Sequence, residues 1–119
     1  MSDVVVTVPR TFGLANWIAE GDAAILNPEW SGTLWRFSTW GPRPDIIPGE
    51  RVYVVYNNRL RGYAPLVWLD WRGGRGGDFI RGGGAVAVTI DEPIRGFRGW
   101  RYRWWEQEME RPFPDWWKE

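Results

Sequence analysis

Residues 46–71 read Ile-Ile-Pro-Gly-Glu-Arg-Val-Tyr-Val-Val-Tyr-Asn-Asn-Arg-Leu-Arg-Gly-Tyr-Ala-Pro-Leu-Val-Trp-Leu-Asp-Trp, and this stretch decides the fold. Pro48-Gly49 signals a turn, and Arg51–Tyr56 is a β-branched and aromatic run of strand length. Asn57-Asn58 follows, and asparagine tolerates the positive φ angles that a tight hairpin turn requires. The stretch therefore predicts a β-hairpin.

The second arm of this hairpin, residues 60–71, carries apolar side chains on both of its alternating faces. We therefore expect it to be covered on both sides near its end. Gly62 and Pro65 interrupt the arm, and each predicts a bulge, a bend or an edge position where a long strand turns a barrel corner.

The rest of the chain adds short, local strands separated by glycine and proline signals. Residues 4–8 form a β-branched run that predicts a first strand buried on both faces. Thr11 can cap a short helix from Phe12 to Glu20. Further strands are predicted at residues 33–40, at residues 85–90 and from Trp100 onward. The aromatic, proline-rich tail, residues 111–119, is expected to pack back onto them. The fold class is thus mainly β with one short helix (α+β): a small, partly open β-barrel in a single domain, residues 1–119.

Composition excludes several kinds of chemistry. The 119 residues contain neither cysteine nor histidine, so thiolate, Ser-His and His-metal mechanisms are impossible. No carboxylate group has recognisable metal spacing, and Asp91-Glu92 and Glu106, Glu108 and Glu110 are expected on solvated surface. We expect no catalytic residue, no metal and no cofactor, and the composition favours a protein that is not an enzyme. The absence of a signal-like N-terminus and of a long apolar run predicts a cytoplasmic protein with no membrane partner.

Two segments of the central stretch carry a family likeness. Residues 48–56, Pro-Gly-Glu-Arg-Val-Tyr-Val-Val-Tyr, have the form of a Gly-acidic-x-Val entry to a central strand, and residues 61–67, Arg-Gly-Tyr-Ala-Pro-Leu-Val, follow as Gly-x-small-x-x-Val. With the preceding order of strand, helix and strand, this resembles the PUA-like superfamily, in particular its ASCH and EVE branches, over about the first ninety residues. The resemblance implies a PUA-like β-barrel that binds RNA or DNA, in some relatives a modified or flipped base in an aromatic pocket. The ASCH signature Gly-x-Lys-x-x-Glu-x-Arg has no match at Gly32, so ASCH-type catalysis is not implied.

Eleven tryptophans exceed what a core of this size needs, and indole is a good platform for stacking bases. Trp17, Trp35, Trp68 and Trp100 lie in periodic segments and are assigned to the core. Trp30 and Trp40 lie at the two ends of the second strand, where structural packing is the alternative to stacking. Where PUA-like relatives place their ligand, we expect a mouth formed by Trp30, Trp40, Tyr56 and Arg61 to bind a planar group, most simply a nucleobase.

Arginine provides fourteen of the fifteen cationic side chains, and ten of these lie in residues 51–103 against four acids, although the net charge is zero. Arg59, Arg72, Arg75 and Arg81 are candidates for a nucleic-acid rim, and a solvated loop surface is the alternative. The glycine-rich residues 72–84 are expected to form a mobile hairpin tip.

Two binding functions remain open from the sequence, and an enzyme is the third and weakest hypothesis, because only carboxylates, tyrosines and a few hydroxyls are available as catalytic groups. The first is a nucleic-acid-binding module for RNA or DNA that recognises a modified or extruded base in an aromatic pocket. The second is a small protein-interaction or regulatory module, viral or host, that uses exposed tryptophan and arginine as hot spots. Zero net charge favours the second, because non-specific nucleic-acid binding depends on phosphate electrostatics, and the basic middle region favours the first.

Overall fold

The computed structural model describes residues 2–8, 35–81 and 86–113. Within these ranges the chain is mainly β, and the predicted helix over residues 12–20 lies outside them. The strands are β1 (Val4–Thr7), β2 (Trp35–Trp40), β3 (Arg51–Tyr56), β4 (Arg59–Trp71), β5 (Gly76–Arg81), β6 (Val88–Thr89), β7 (Trp100–Tyr102) and β8 (Arg111–Pro112). Within the described ranges, the 3₁₀ turns Gly73–Arg75 and Gln107–Met109 lie between strands.

The predicted hairpin is confirmed as the pair β3–β4. Asn57 and Asn58 have φ angles of 52° and 62°, the left-handed conformation that the turn requires. The register then shifts, because Val55 pairs with Leu60 while Val54 pairs with Gly62. Arg61 is the extra residue of this bulge, so the interruption predicted at Gly62 is a bulge that bends the strand.

Six strands form one curved sheet in the order β2-β5-β4-β3-β1-β7, with β1 parallel to β3 and the other neighbours antiparallel. The long β4 pairs with β3 along its first part and with β5 along its second. The two edge strands then approach each other: the Trp100 Nε1–H donates to the Pro42 carbonyl at 2.8 Å. The sheet therefore curls into a small, partly open barrel whose seam lies between β2 and β7.

The central part of the sheet is buried on both faces. Its inner face packs Val4, Val6, Val8, Ile46, Val52, Val54, Tyr56, Ala64, Leu66, Leu69 and Phe79. Its outer face packs Val5, Tyr53, Val55 and Leu60 against Ile90, Ile94 and Trp105 of the C-terminal part. The expectation that the first strand is buried on both faces is confirmed, since its valines alternate between these two cores.

A polar network holds the C-terminal part on the outer face. The Tyr53 hydroxyl and the Trp105 Nε1–H both donate to Glu110 Oε2, at 2.6 and 2.8 Å, and Arg51 Nη1 donates to Glu110 Oε1 at 3.2 Å. Glu110 was expected on solvated surface, but its side chain is almost completely buried. The alternating glutamates do not lie on a regular strand, since a 3₁₀ turn turns Glu110 inward. Burial, together with the bond to Glu110, raises the pKa of Tyr53 far above its ordinary value.

In the described part of the glycine-rich segment, residues 72–81, the structure has strand β5 where a hairpin tip was expected, and residues 82–84 lie outside the described residues. Gly76–Arg81 is buried at all six positions and carries Phe79 into the core, while the turn itself is confined to Gly73–Arg75. At Gly77 an added Cβ would lie 2.6 Å from both the Asp70 carbonyl oxygen and Trp71 Cα. Glycine here permits close packing of strands, a role that composition alone does not distinguish from flexibility. The strand expected at residues 85–90 is shorter, because Val88–Thr89 alone pair with β8.

We expect Gly77→Ala to destabilise the fold by about 1–3 kcal/mol, because the new methyl group would overlap main-chain atoms that cannot move independently. Gly74→Ala is the matched control, since a Cβ there meets nothing within 4 Å. Urea denaturation of both variants checks this. Equal midpoints for the two variants would contradict the close-packing explanation.

We expect stability to fall at alkaline pH through Tyr53. Its pKa in the folded protein lies above the value of about 10 for an unfolded tyrosine, so its contribution is complete below pH 10 and is lost as pH rises. Each further pH unit should cost about 1.4 kcal/mol. Denaturation of Tyr53→Phe between pH 10 and 12 should therefore show a shallower slope than the parent, and equal slopes would contradict this role of Tyr53.

Candidate functional site

Trp40, the last residue of β2, projects from the outside of the barrel. Side chains alternate along β2, so Phe37 packs against the inner core while Ser38 and Trp40 point outward. The side chain of Trp40 is 72% exposed, and within the described residues its indole contacts no other ring. An indole left this open is a large apolar surface in water and is typical of a binding site.

Three hollows in the surface meet at Trp40. The first, of about 350 Å³, is lined by Ser38, Thr39, Trp40, Arg72, Arg75 and Gly76. The second, of about 480 Å³, lies in the barrel seam and is lined by Thr7, Phe37, Ser38, Thr39, Trp40, Phe97, Arg98 and Gly99. The third, of about 370 Å³, is lined by Trp40, Gly41, Pro42, Arg98, Gly99 and Trp100. Trp40 is thus bordered by arginines from two separate parts of the chain.

Arg72 is held at the first hollow by a buried carboxylate. Its Nη1 and Nη2 donate to Asp78 Oδ2 and Oδ1 at 3.1 and 3.4 Å, and the Ser38 hydroxyl donates to Oδ1 at 2.6 Å. The Asp78 side chain is only 5% exposed, whereas that of Arg72 is more than half exposed. A partly solvated ion pair contributes little to stability, but the two-point contact fixes the plane of the guanidinium.

Close main-chain contacts place two further arginines beside the indole. Arg75 lies in the turn before β5, where an added Cβ at Gly76 would come 2.5 Å from the Thr39 carbonyl oxygen. Arg98 precedes Gly99, where φ is 75° and an added Cβ would lie 3.1 Å from the Trp40 carbonyl oxygen. Among the described residues neither arginine side chain forms an ion pair, and both are exposed.

The structure does not bring the predicted mouth together. Tyr56 and Arg61 are 3% and 6% exposed and lie at the hairpin end of β4, where the Arg61 Nε–H donates to the Tyr56 carbonyl at 3.2 Å. Trp40 faces Gly76 beyond the other end of β4, so these groups do not share a surface with it. Tyr56 is packed in the inner core, so its ring is not available at a surface mouth. Trp30 lies outside the described residues.

The predicted arginine rim divides in the same way. Arg72 and Arg75 border Trp40, whereas Arg59 lies at the hairpin end and stacks its guanidinium 4.8 Å from the centre of the Phe113 ring. Arg81 is almost completely buried, because it ends β5 inside the sheet. Arg98 was not predicted as a site residue. The sequence signal that could have indicated it is its position between Phe97 and Gly99, in a short connection rich in glycine.

The assignment of tryptophans to the core is correct in one of the two described cases. Trp100 is half-buried and packs against the inner core. Trp68 is 61% exposed, because the register shift between Leu66 and Trp68 turns its side chain outward. The side chain of Trp35 and the whole of Trp17 lie outside the described residues.

The described residues contain no group of three or more acidic side chains that is able to hold a metal ion. Within the same ranges no helix has the length and apolar character needed to cross a bilayer. Comparison with known proteins finds no matching family model, no matching curated protein and no matching solved structure. The site must therefore be interpreted from its own chemistry.

We expect Trp40→Ala to leave stability unchanged to within about 0.5 kcal/mol, because the ring is exposed and unpacked. Trp105→Ala, which removes a buried ring in contact with Tyr53, should cost about 3–5 kcal/mol. Thermal and urea denaturation measure both. A large loss for Trp40→Ala would show that the ring is structural, and it would remove the reason to treat Trp40 as a binding residue.

Proposed function

We propose that the protein binds single-stranded nucleic acid, RNA or DNA, with one base stacked on Trp40. The observation that carries the proposal is an exposed indole bordered by the guanidinium groups of Arg72 and Arg75 on one side and Arg98 on the other. Base stacking on an aromatic side chain is worth about 1–3 kcal/mol and tolerates any base. Arginine adds two-point hydrogen bonding to phosphate.

Local charge supports this proposal in a chain whose net charge is zero. No aspartate or glutamate occurs among the described residues that line the three hollows at Trp40, whereas three arginines do. The Asp78 carboxylate pairs with Arg72 at the wall of the first hollow, so Arg75 and Arg98 are the lining arginines that form no ion pair with a described residue. Single strands are favoured over duplex, because an indole reaches a base face only where that base is unstacked.

The finer form of the proposal is recognition of a modified or extruded base. The hollow in the seam supports it, because Phe37 and Phe97, which pack against the inner and the outer core, also line that hollow. A small barrel with such a seam is also compatible with the PUA-like fold that the sequence resembles. The competing function, a protein-interaction module, uses the same exposed tryptophan and arginine side chains and is separated by the experiments that follow.

We expect labelled single-stranded oligonucleotides to bind the protein at low salt, and Trp40→Ala to weaken this binding about tenfold or more. Fluorescence anisotropy measures the affinity, with matching duplexes as the comparison. Trp68→Ala is the matched control, because Trp68 is nearly as exposed but lines none of the three hollows. If no RNA or DNA strand binds at low salt, the nucleic-acid proposal is wrong and the protein-interaction alternative takes its place.

We expect Arg75→Ala to lower affinity and to reduce the slope of log K against log salt by about 0.7, the value for one phosphate contact on a single strand. Arg95→Ala removes the same charge from an exposed position whose neighbour Ile94 donates its amide to Asn58 at the hairpin turn. That control should leave the slope unchanged. Equal reductions in both variants would mean that general charge, not the site at Trp40, sets the salt dependence.

A further inference from the structure

We infer that the site holds an internal nucleotide of a continuous strand, with its base on Trp40, one flanking phosphodiester at Arg72 and Arg75, and the other at Arg98. This inference rests on the proposed function and adds the path of the strand. It distinguishes a strand that passes through the site from a free nucleotide or a phosphorylated end.

Arginines lie beside both edges of β2. One edge of β2 pairs with β5, and the turn before β5 carries Arg75. The other edge faces the seam, where Gly99 approaches the Trp40 carbonyl and Arg98 precedes it. The first and third hollows share Trp40 alone among their described lining residues. A strand whose base covers the indole can therefore extend in both directions, and each direction leads to guanidinium groups.

The positive charge beside Trp40 is divided between the first hollow and the seam side. At the first hollow Arg72 is paired with the Asp78 carboxylate, whereas Arg75 forms no ion pair with a described residue and supplies one positive charge. On the seam side, Arg98 supplies one positive charge. A phosphodiester carries one negative charge, whereas a terminal phosphate carries close to two at neutral pH. Each side therefore matches one phosphodiester.

The polar side chains at the first hollow are held in fixed positions. Asp78 binds both Arg72 and the Ser38 hydroxyl, at 3.1 and 2.6 Å, so two polar side chains at the wall of this hollow are held before any ligand arrives. A site that is already oriented loses less conformational entropy on binding. Asp78 thus acts as a positioning residue for the phosphate at Arg72.

The test is a set of cycles between arginine variants and ligands with one neutral linkage. The ligand is a labelled trinucleotide with a central base and abasic sugars on both sides, so that one base alone can stack on Trp40. Two derivatives each replace one of its two phosphodiesters by a neutral methylphosphonate. Anisotropy titrations then compare the parent protein, Arg75→Ala and Arg98→Ala with all three ligands.

We expect each neutral linkage to weaken binding to the parent roughly tenfold, and each variant to lose sensitivity to one linkage alone. Arg75→Ala should be insensitive to one linkage and Arg98→Ala to the other, and which linkage pairs with which residue gives the direction of the strand. Arg95→Ala should keep the parent's sensitivity to both.

Other outcomes separate the two proposals. One such outcome is that the unmodified trinucleotide binds and Trp40→Ala abolishes binding, but Arg75→Ala and Arg98→Ala respond to both neutral linkages as the parent does. In that case base stacking is supported and the proposed path of the strand is wrong. Equal affinity for a mononucleotide with a single phosphate would overturn the path in the same way. If neither the trinucleotide nor longer single strands bind at low salt, the proposed function itself fails.

Discussion

The close approach of main chains on both edges of β2 is the constraint on which the candidate site depends. An added Cβ at Gly76 would lie 2.5 Å from the Thr39 carbonyl oxygen, and one at Gly99 would lie 3.1 Å from that of Trp40. These contacts exclude larger residues, because main-chain atoms cannot move aside as the end of a side chain can. Arg75 and Arg98 are the immediate neighbours of the two glycines. The close packing of the glycines therefore places both arginines beside the indole.

The outer core explains why some arginines are structural while others are available. Arg51 stacks 4.1 Å from the centre of the Tyr63 ring and bonds Glu110, and Arg61 lies 5.3 Å from the Phe113 ring. Such cation–π contacts stabilise the C-terminal part on the sheet without placing an unpaired charge in the interior. Arg75 and Arg98 have no aromatic or acidic partner in the described part of the chain. Arginine thus holds the layers together on one face and lines the candidate site on another.

Local signals in the sequence determined the hairpin, whereas long-range contacts determined the site. Asn57-Asn58 fixes its turn through its own φ angles, and the valines of β1 fix their burial by alternation, so both were predictable. The strand at Gly76–Arg81 was not predictable, because a glycine-rich segment has the same composition whether its glycines supply flexibility or permit close packing. Likewise, the grouping of Trp40 with Arg98 depends on the curvature that brings β2 to the seam. Trp40 and Arg98 are fifty-eight residues apart in the chain, and no periodic pattern in the sequence predicts that they lie close together.

Zero net charge shapes the kind of binding that this surface can provide. Attraction at long range requires an excess of one sign of charge, and here opposite charges elsewhere on the molecule cancel the three arginines at distances beyond about 10 Å. Under the proposed function, affinity would then come from contacts made at the site, chiefly the stacked base. Two phosphodiester contacts imply a salt slope of only about 1.4 for a single strand. Such a surface would hold a strand that is already exposed and concentrated nearby, and it would compete poorly for duplex nucleic acid on charge alone.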